Sequence, residues 1–491
     1  MILRDKSCLT PRMFNRAATV GIIFVMLGCG GGSADAPGQP SGPDQPSSPS
    51  GPAPATVISI DPATHYQTMT GWEATDEAGQ LEIPSYPAYR DQLLNLGVNT
   101  LGINRLRVEV KSGAENPVDT WAQYQAGLMS DSAWRCQRYA AINDNSDPTV
   151  INPAGFHFSE LDATMNRLVL PMKALMDARG EHLYINVNYV AFARQCSNTP
   201  YDHFNNPAEY AEFVLATYQH LKNVFNVTPD SWEVILEPDN TNGLWDGTMV
   251  GRAIAAAGDR LKAAGFTPHF VAPSTMSMAA AASYIDAMMA VPGAQQYVKE
   301  LSYHRYTGVS NDALAAIASR AKKYGVQTAM LEHIGSDYND LYDDLVVGQN
   351  SAWQQYTLGY LASSDGTDSG GHYFTVGSGA SPSITMGSRT PYLMQYFRYV
   401  RAGAVRVATS GGTDGAAPVA FVNTNGGFVV VTKTTGAVTF RINGLPAGTY
   451  GISYSTSSAA GAQLPAATVT SGQGVDVAMP GAGVVTVYHQ S

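Results

Sequence analysis

The chain has 491 residues, 44% of them hydrophobic and 14% charged, with a formal net charge of -11. That length accommodates one large barrel plus a smaller domain, and the apolar fraction builds a packed core, which excludes a disordered chain. The acidic balance excludes a nucleic-acid groove, which needs a basic face, and the 26 tyrosines suit a neutral polar ligand.

The N-terminus reads as a targeting segment. Arg12 and Arg16 precede the apolar run 17–27, too short to span a membrane as a mature helix but suited to an export signal. The run ends in "MLGCGGG", which resembles a bacterial lipoprotein cleavage box. The resemblance implies a signal peptide over 1–28, lipidation of Cys29, and a place on the bacterial cell envelope, periplasmic or outer-membrane, with the lipid as the sole membrane contact. Residues 29–56 are rich in Gly, Ser and Pro without apolar periodicity, as a tether would be. In an oxidising compartment Cys136 and Cys196 either form one disulfide, the expectation adopted, or remain two buried thiols. No cysteine and histidine spacing fits a zinc site, and no metal or other cofactor is expected.

From 68 to 403, β-rich runs alternate with amphipathic segments. The runs are 68–75, 101–110, 183–190, 231–238, 269–274, 301–308, 328–335 and 371–376. Between them lie helical patterns such as "NPAEYAEFVLATYQHLKNVF" and "NDALAAIASRAKKYG", several opening on Ser, Asn or Asp and closing at Gly. Eight β–α units predict a closed (β/α)8 TIM barrel. A doubly wound sheet would want a glycine-rich phosphate turn after its first strand, and "GWEATDEAG" is not one. The connection 111–155 is long for a barrel, which suggests an excursion over the substrate face. Residues 404–491 carry short alternating runs between Gly, Pro and Ser turns, the pattern of an antiparallel β-sandwich. The segment 57–67 precedes the barrel and is expected to pair with that domain.

Barrel chemistry sits at the C-terminal ends of the strands. Two glutamates stand there after apolar runs, Glu237 in "WEVILEPDN" and Glu332 in "TAMLEHIG". A carboxylate in such a place is costly without a task. Two of them facing one mouth match glycosidic bond hydrolysis, in which one carboxyl protonates the leaving oxygen and the other attacks the sugar carbon. A metal-dependent barrel hydrolase would need a cluster of histidine and carboxylate ligands at strand ends, and none stands out in the sequence.

On these residues the chain resembles clan A retaining glycoside hydrolases, most of all family 30. "LEPDN" and "LEHIG" fall where that clan carries its acid/base and nucleophile. "HRY" at 304–306 matches a His-x-Tyr at the end of strand 6. "QTMTGWEATDEAG" is similar to the family's entry into strand 1. "YLMQYFRYVRAGAVRV" is similar to its last helix, with Ala402 in place of a proline. The resemblance implies Glu237 as acid/base and Glu332 as nucleophile. It implies Tyr306 orienting Glu332, His304 binding sugar or the acid/base, and Arg107 holding the nucleophile ionised. A pairing of Arg107 with Glu109 or Glu73 stays open. Trp72, Trp245 and Tyr373 are candidates for stacking on sugar faces. The clan's Asn before the acid/base is Leu236 here, so Asn188 or Asn240 is expected to take over its hydrogen bond to the sugar. The expected protein is a monomeric, lipid-anchored retaining β-glycosidase of poly- or oligosaccharides that binds no nucleic acid. The alternative is a non-catalytic polysaccharide-binding lipoprotein on the same barrel.

Overall fold

The computed structural model describes residues 56–76, 83–192, 203–362, 370–379 and 381–490. Cys29, Cys196 and everything up to residue 55 lie outside the described residues. Residues 77–82, 193–202 and 363–369 also lie outside them.

The first strand, β1 (Thr56–Thr68), bypasses the barrel. The ring that follows is parallel: β2 (Gly71–Thr75), β3 (Arg105–Lys111), β4 (Tyr184–Val190), β5 (Ser231–Glu233), β6 (Phe270–Ser277), β7 (Val298–Thr307), β8 (Gln327–Glu332) and β9 (Ala352–Leu361). It closes because β9 pairs with both β8 and β2. Helices such as Pro207–Phe225, Gly247–Ala263 and Asn311–Tyr324 cover the outside. Their ends follow local chemistry. Asp246 accepts the Met249 N–H at one N-terminus, and Gly325 adopts φ +67 at one C-terminus, where a side chain would strain.

Seven of the expected strands are ring members; the eighth is a correction. The segment expected at 371–376 is β10 (His372–Val376), which pairs in parallel with the far half of β9 outside the ring. A short β11 (Ile384–Met386) extends that edge antiparallel. The true eighth strand, β9, hides in the sequence because Gln354, Gln355 and Tyr356 interrupt its apolar run. The buried Gln354 donates to the Leu331 carbonyl of neighbouring β8 at 2.6 Å.

Side-chain alternation puts an unusual set of residues inside the ring. An apolar group, Val271, Ala329, Leu331 and Ala352, forms one small cluster. The rest is polar, and much of it charged. At the floor Arg105 is clamped between Glu73 and Glu300, all fully buried. One step higher on β3, Arg107 lies 4.0 Å from Glu233, whose other oxygen accepts from Asn186 at 3.1 Å.

The C-terminal part is a mostly antiparallel sheet: β12 (Val405–Ser410), β13 (Ala416–Val422), β14 (Phe428–Thr434), β15 (Val438–Asn443), β16 (Gly448–Thr456), β17 (Ala459–Val469), β18 (Val475–Met479) and β19 (Gly483–His489). Its order is β17-β16-β19-β14-β13-β12-β1-β15-β18. β1 lies antiparallel to β12 and parallel to β15. Strands from both ends of this order share one apolar core, with Ile58, Phe440 and Val477 meeting Val430, Ile452 and Val487. Alternate residues face the other way, and Val429, Val431 and Val484 merge with the barrel core. The helix Thr390–Phe397 sits at that junction, where the Thr486 hydroxyl donates to the Gln395 carbonyl at 2.6 Å.

Candidate active site

The strand after "WEVIL" ends in an uncommon backbone. Glu237 has φ +50, the left-handed region, which costs a non-glycine residue about 1–3 kcal/mol and clusters at functional sites. The surroundings hold it there. Its N–H donates to the Ser274 carbonyl at 3.2 Å, and its own carbonyl accepts from Asn240 N–H at 2.9 Å. Asp239, two residues on, accepts the N–H groups of Met276 and Ser277 at 2.7 and 2.9 Å, tying this turn to the end of β6. The Glu237 carboxyl thus stands at the mouth with two partners. His304 Nδ1 lies 3.1 Å from Oε1, and Asn240 Nδ2 donates to Oε2 at 2.9 Å.

Glu332 ends β8 on the opposite side. Arg107 donates one guanidinium nitrogen to it and another to the Leu331 carbonyl at 3.1 Å. The Tyr306 hydroxyl donates to its other oxygen at 2.8 Å. Burial raises the Glu332 carboxyl, but the Arg107 charge, His304 and the hydrogen bonds from Arg107 and Tyr306 outweigh it and hold it below the ordinary value. The His304 imidazole responds in the opposite sense. Burial depresses it, while the Glu237 hydrogen bond and the charges of Glu332 and Glu237 outweigh that and raise it. One oxygen of Glu237, one of Glu332 and a ring nitrogen of His304 all lie within 4.8 Å of one another.

These three groups, expected at one mouth, also form a histidine and carboxylate cluster that did not stand out in the sequence, and each could offer one ligand atom to a metal ion. Arg107 already places a full positive charge on Glu332, which opposes a second cation at that spot. Chemically, the set offers one carboxyl stabilised as an anion and a second one close by on a different strand.

The structure brings Glu237, Glu332, Arg107, His304, Tyr306 and Asn240 together, and it resolves the open pairing of Arg107. Its partner is Glu332, while Glu109 pairs with Lys111 and Glu73 with Arg105. Asn188 lies in the ring interior, fully buried, with neither amide atom hydrogen-bonded. Three expected sugar platforms are elsewhere. Trp72 is fully buried, stacks on Phe397 at 4.5 Å and donates to the Val400 carbonyl. Strand alternation is the reason: Glu73 points inward, so Trp72 points out. Tyr373 is fully buried, bonded to the Glu73 carbonyl at 2.9 Å and accepting the Gln355 N–H at 2.8 Å. Trp245 packs edge-on against Tyr210 in the core. Asp239, which ties this turn to β6, had no signal in the sequence beyond a carboxylate two residues after Glu237. Cys136 is disulfide-bonded, and Cys196 lies outside the described residues. No described helix is long and apolar enough to cross a membrane.

No family model and no curated relative matches the sequence. Solved structures do. The chain superposes on the catalytic domain of the GH30 xylanase C of Talaromyces cellulolyticus with a TM-score of 0.64 at 17% identity, covering 89% of this chain and 100% of that one. A GH30 endoxylanase from Clostridium papyrosolvens gives 0.62 at 16% identity, covering 89% and 100%. An endo-β1,6-glucanase gives 0.61 at 14% identity, covering 90% and 96%. The chain shares the fold of these GH30 xylanases and of the endo-β1,6-glucanase. Coverage of whole neighbours extends the likeness over barrel and sheet domain together.

Proposed function

We propose that the protein is a retaining β-glycoside hydrolase of poly- or oligosaccharides, working by double displacement. The observation that carries the reading is the close approach of Glu237 and Glu332, with oxygens within 4.8 Å. Retaining enzymes hold their carboxyls about 5–5.5 Å apart, whereas inverting ones leave about 6.5–9.5 Å for a water. The fold shared with GH30 xylanases and with an endo-β1,6-glucanase supports the same reaction class.

In the first step the Glu237 carboxyl gives its proton to the glycosidic oxygen while a Glu332 oxygen attacks the anomeric carbon. The bond to the leaving sugar breaks and a glycosyl ester forms on Glu332. In the second step Glu237, now a carboxylate, takes a proton from water as its oxygen attacks the same carbon. The ester bond breaks, Glu332 regains its charge, and two inversions leave the configuration unchanged. Arg107 and Tyr306 keep Glu332 anionic for attack. Asn240 and His304 hold the two oxygens of Glu237 in line. With Leu236 in the place where relatives carry Asn, the hydrogen bond to the sugar falls to Asn240 or Asn188. The scheme calls for no cofactor. The same reading has Cys29 lipidated on the cell envelope, Cys136 joined to Cys196, and the chain working as a monomer.

The test is hydrolysis of a panel of aryl β-glycosides, xylans and β-glucans by the wild type and by Glu237→Gln and Glu332→Gln. Turnover that Glu332→Gln abolishes and Glu237→Gln sharply lowers supports the assignment. Turnover that neither changes refutes it.

A further inference from the structure

Away from the mouth, the long excursion after β3 meets the helix Pro207–Phe225 over three carboxylates. One oxygen from each of Asp144, Glu209 and Glu212 lies within 4.8 Å of the others. Glu209 and Glu212 are three residues apart on the helix and so share a face. That face is the buried one: they are 5% and 1% exposed. Such burial is costly for unpaired charge, and pairing here is thin. Neither oxygen of Glu212 accepts a hydrogen bond, nor do Glu209 Oε2, Asp144 Oδ1 or the Asn143 amide oxygen, all of them buried. Asn143 reaches Glu209 only through a long Nδ2 contact of 3.4 Å. Arg260 stops 3.7 Å from a Glu212 oxygen and gives a hydrogen bond to the Pro148 carbonyl instead. Burial, then Asp144, push Glu212 up to about 8 against the pull of Arg260, with Glu209 adding to the rise.

Among the described residues, the three carboxylates when fully ionised and the one arginine would carry two net negative charges, which a divalent cation would balance. Every candidate donor is an oxygen, which favours a hard ion over zinc. Calcium takes six to eight oxygens at about 2.3–2.6 Å, so opposite ligands stand about 5 Å apart; magnesium, at about 2.0–2.1 Å, draws them closer. The three oxygens, within 4.8 Å of one another, can meet on one ion, and three protein carboxylates favour calcium, because magnesium keeps several waters and is held by one or two.

We propose that Asp144, Glu209 and Glu212 form a calcium site that fastens the excursion to the barrel. The fastening would act close to the catalytic face. The Asp144 N–H donates to Glu115 Oε1 at 3.0 Å, and the other Glu115 oxygen lies 2.7 Å from His203. His203 in turn lies 2.8 Å from the Tyr189 hydroxyl on β4. A bound ion would thereby help hold the excursion against the outer side of β4.

The experiment is thermal unfolding of the full chain, stripped with chelator and then given CaCl2 or MgCl2, with calorimetric titration of CaCl2 alongside. A ligand that binds the folded state raises Tm in proportion to the logarithm of its concentration once it saturates. Calcium should raise Tm by several degrees, magnesium by less. The variant Asp144→Asn/Glu212→Gln should lose that shift while unfolding no earlier than the stripped wild type, because it sheds repulsion. No shift and no heat would overturn the proposal, as would an equal shift in the variant. A stripped protein that gains stability as pH falls below about 8, with no response to calcium, would identify a proton-sharing carboxyl pair instead and equally overturn it.

Discussion

Two arginines stand two residues apart on β3, and each lies between glutamates. Arg105, at the barrel floor, is clamped by Glu73 and Glu300 with no exposure on any of the three. Arg107, one layer higher, binds Glu332 and lies near Glu233, and the Glu332 side chain retains 10% exposure. The chemistry of the pairs is the same, yet their electrostatic outcomes are opposite. At the floor burial outweighs Arg105, and the Glu73 carboxyl rises to about 7. At the mouth Arg107, helped by His304 and Tyr306, outweighs burial and Glu332 falls. A buried arginine–glutamate pair is therefore no sign of catalysis by itself. What separates the two is access, a second carboxyl across the ring, and the extra donors that keep one glutamate charged.

The largest effect should come from Glu332→Gln, which removes the attacking atom and should abolish turnover of aryl β-glycosides in a steady-state assay. Glu237→Gln should cost about 10²–10⁴-fold in kcat, the usual worth of a general acid–base. Its penalty should shrink with better aryl leaving groups, which need less protonation. Arg105→Met should act on the other region alone. Breaking a buried ion pair costs about 3–5 kcal/mol, so urea unfolding should shift strongly while kcat per folded molecule stays at the wild-type value. A matching loss of kcat would erase the distinction between floor and mouth.

Smaller effects sharpen the contrast through pH. Tyr306→Phe removes one donor that holds Glu332 down, so the acidic limb of the kcat/KM profile should move to higher pH. The sign of linkage differs between the two glutamates. Glu73 is raised on folding, so its unfolded form ionises first. Stability falls as pH rises from about 4.5 to about 7, and Glu73→Gln should flatten that slope in unfolding measurements. Glu332 is lowered, so its contribution is present above about 4.5 and is lost as pH falls through its folded value.

The barrel was legible in the sequence because its strands are short apolar runs separated by capped helices, and the proposed catalytic pair because each glutamate follows such a run. β9 escaped because a ring with a charged interior tolerates glutamines in its strands, and Gln354 finds a carbonyl partner there. Trp72 was misread where parity with Glu73 could have placed it outside, and Tyr373 and Trp245 because aromatic residues near strand ends pack more often than they bind. The left-handed turn at Glu237 has no sequence signature beyond the following proline, since a tertiary hydrogen bond to Ser274 sustains it. The Asp144, Glu209 and Glu212 cluster spans a loop and a distant helix; its one local trace is the pair of glutamates three apart on a buried helix face.

The proposed roles of Glu237 and Glu332 meet their most direct test in the anomeric configuration of the first product. Proton NMR should follow hydrolysis of the best β-linked substrate from the earliest time points. Double displacement on Glu332 predicts the β-anomer first, with the α-anomer growing only by mutarotation. An α-anomer that leads from the start would contradict it, because a single inversion needs no covalent bond to Glu332.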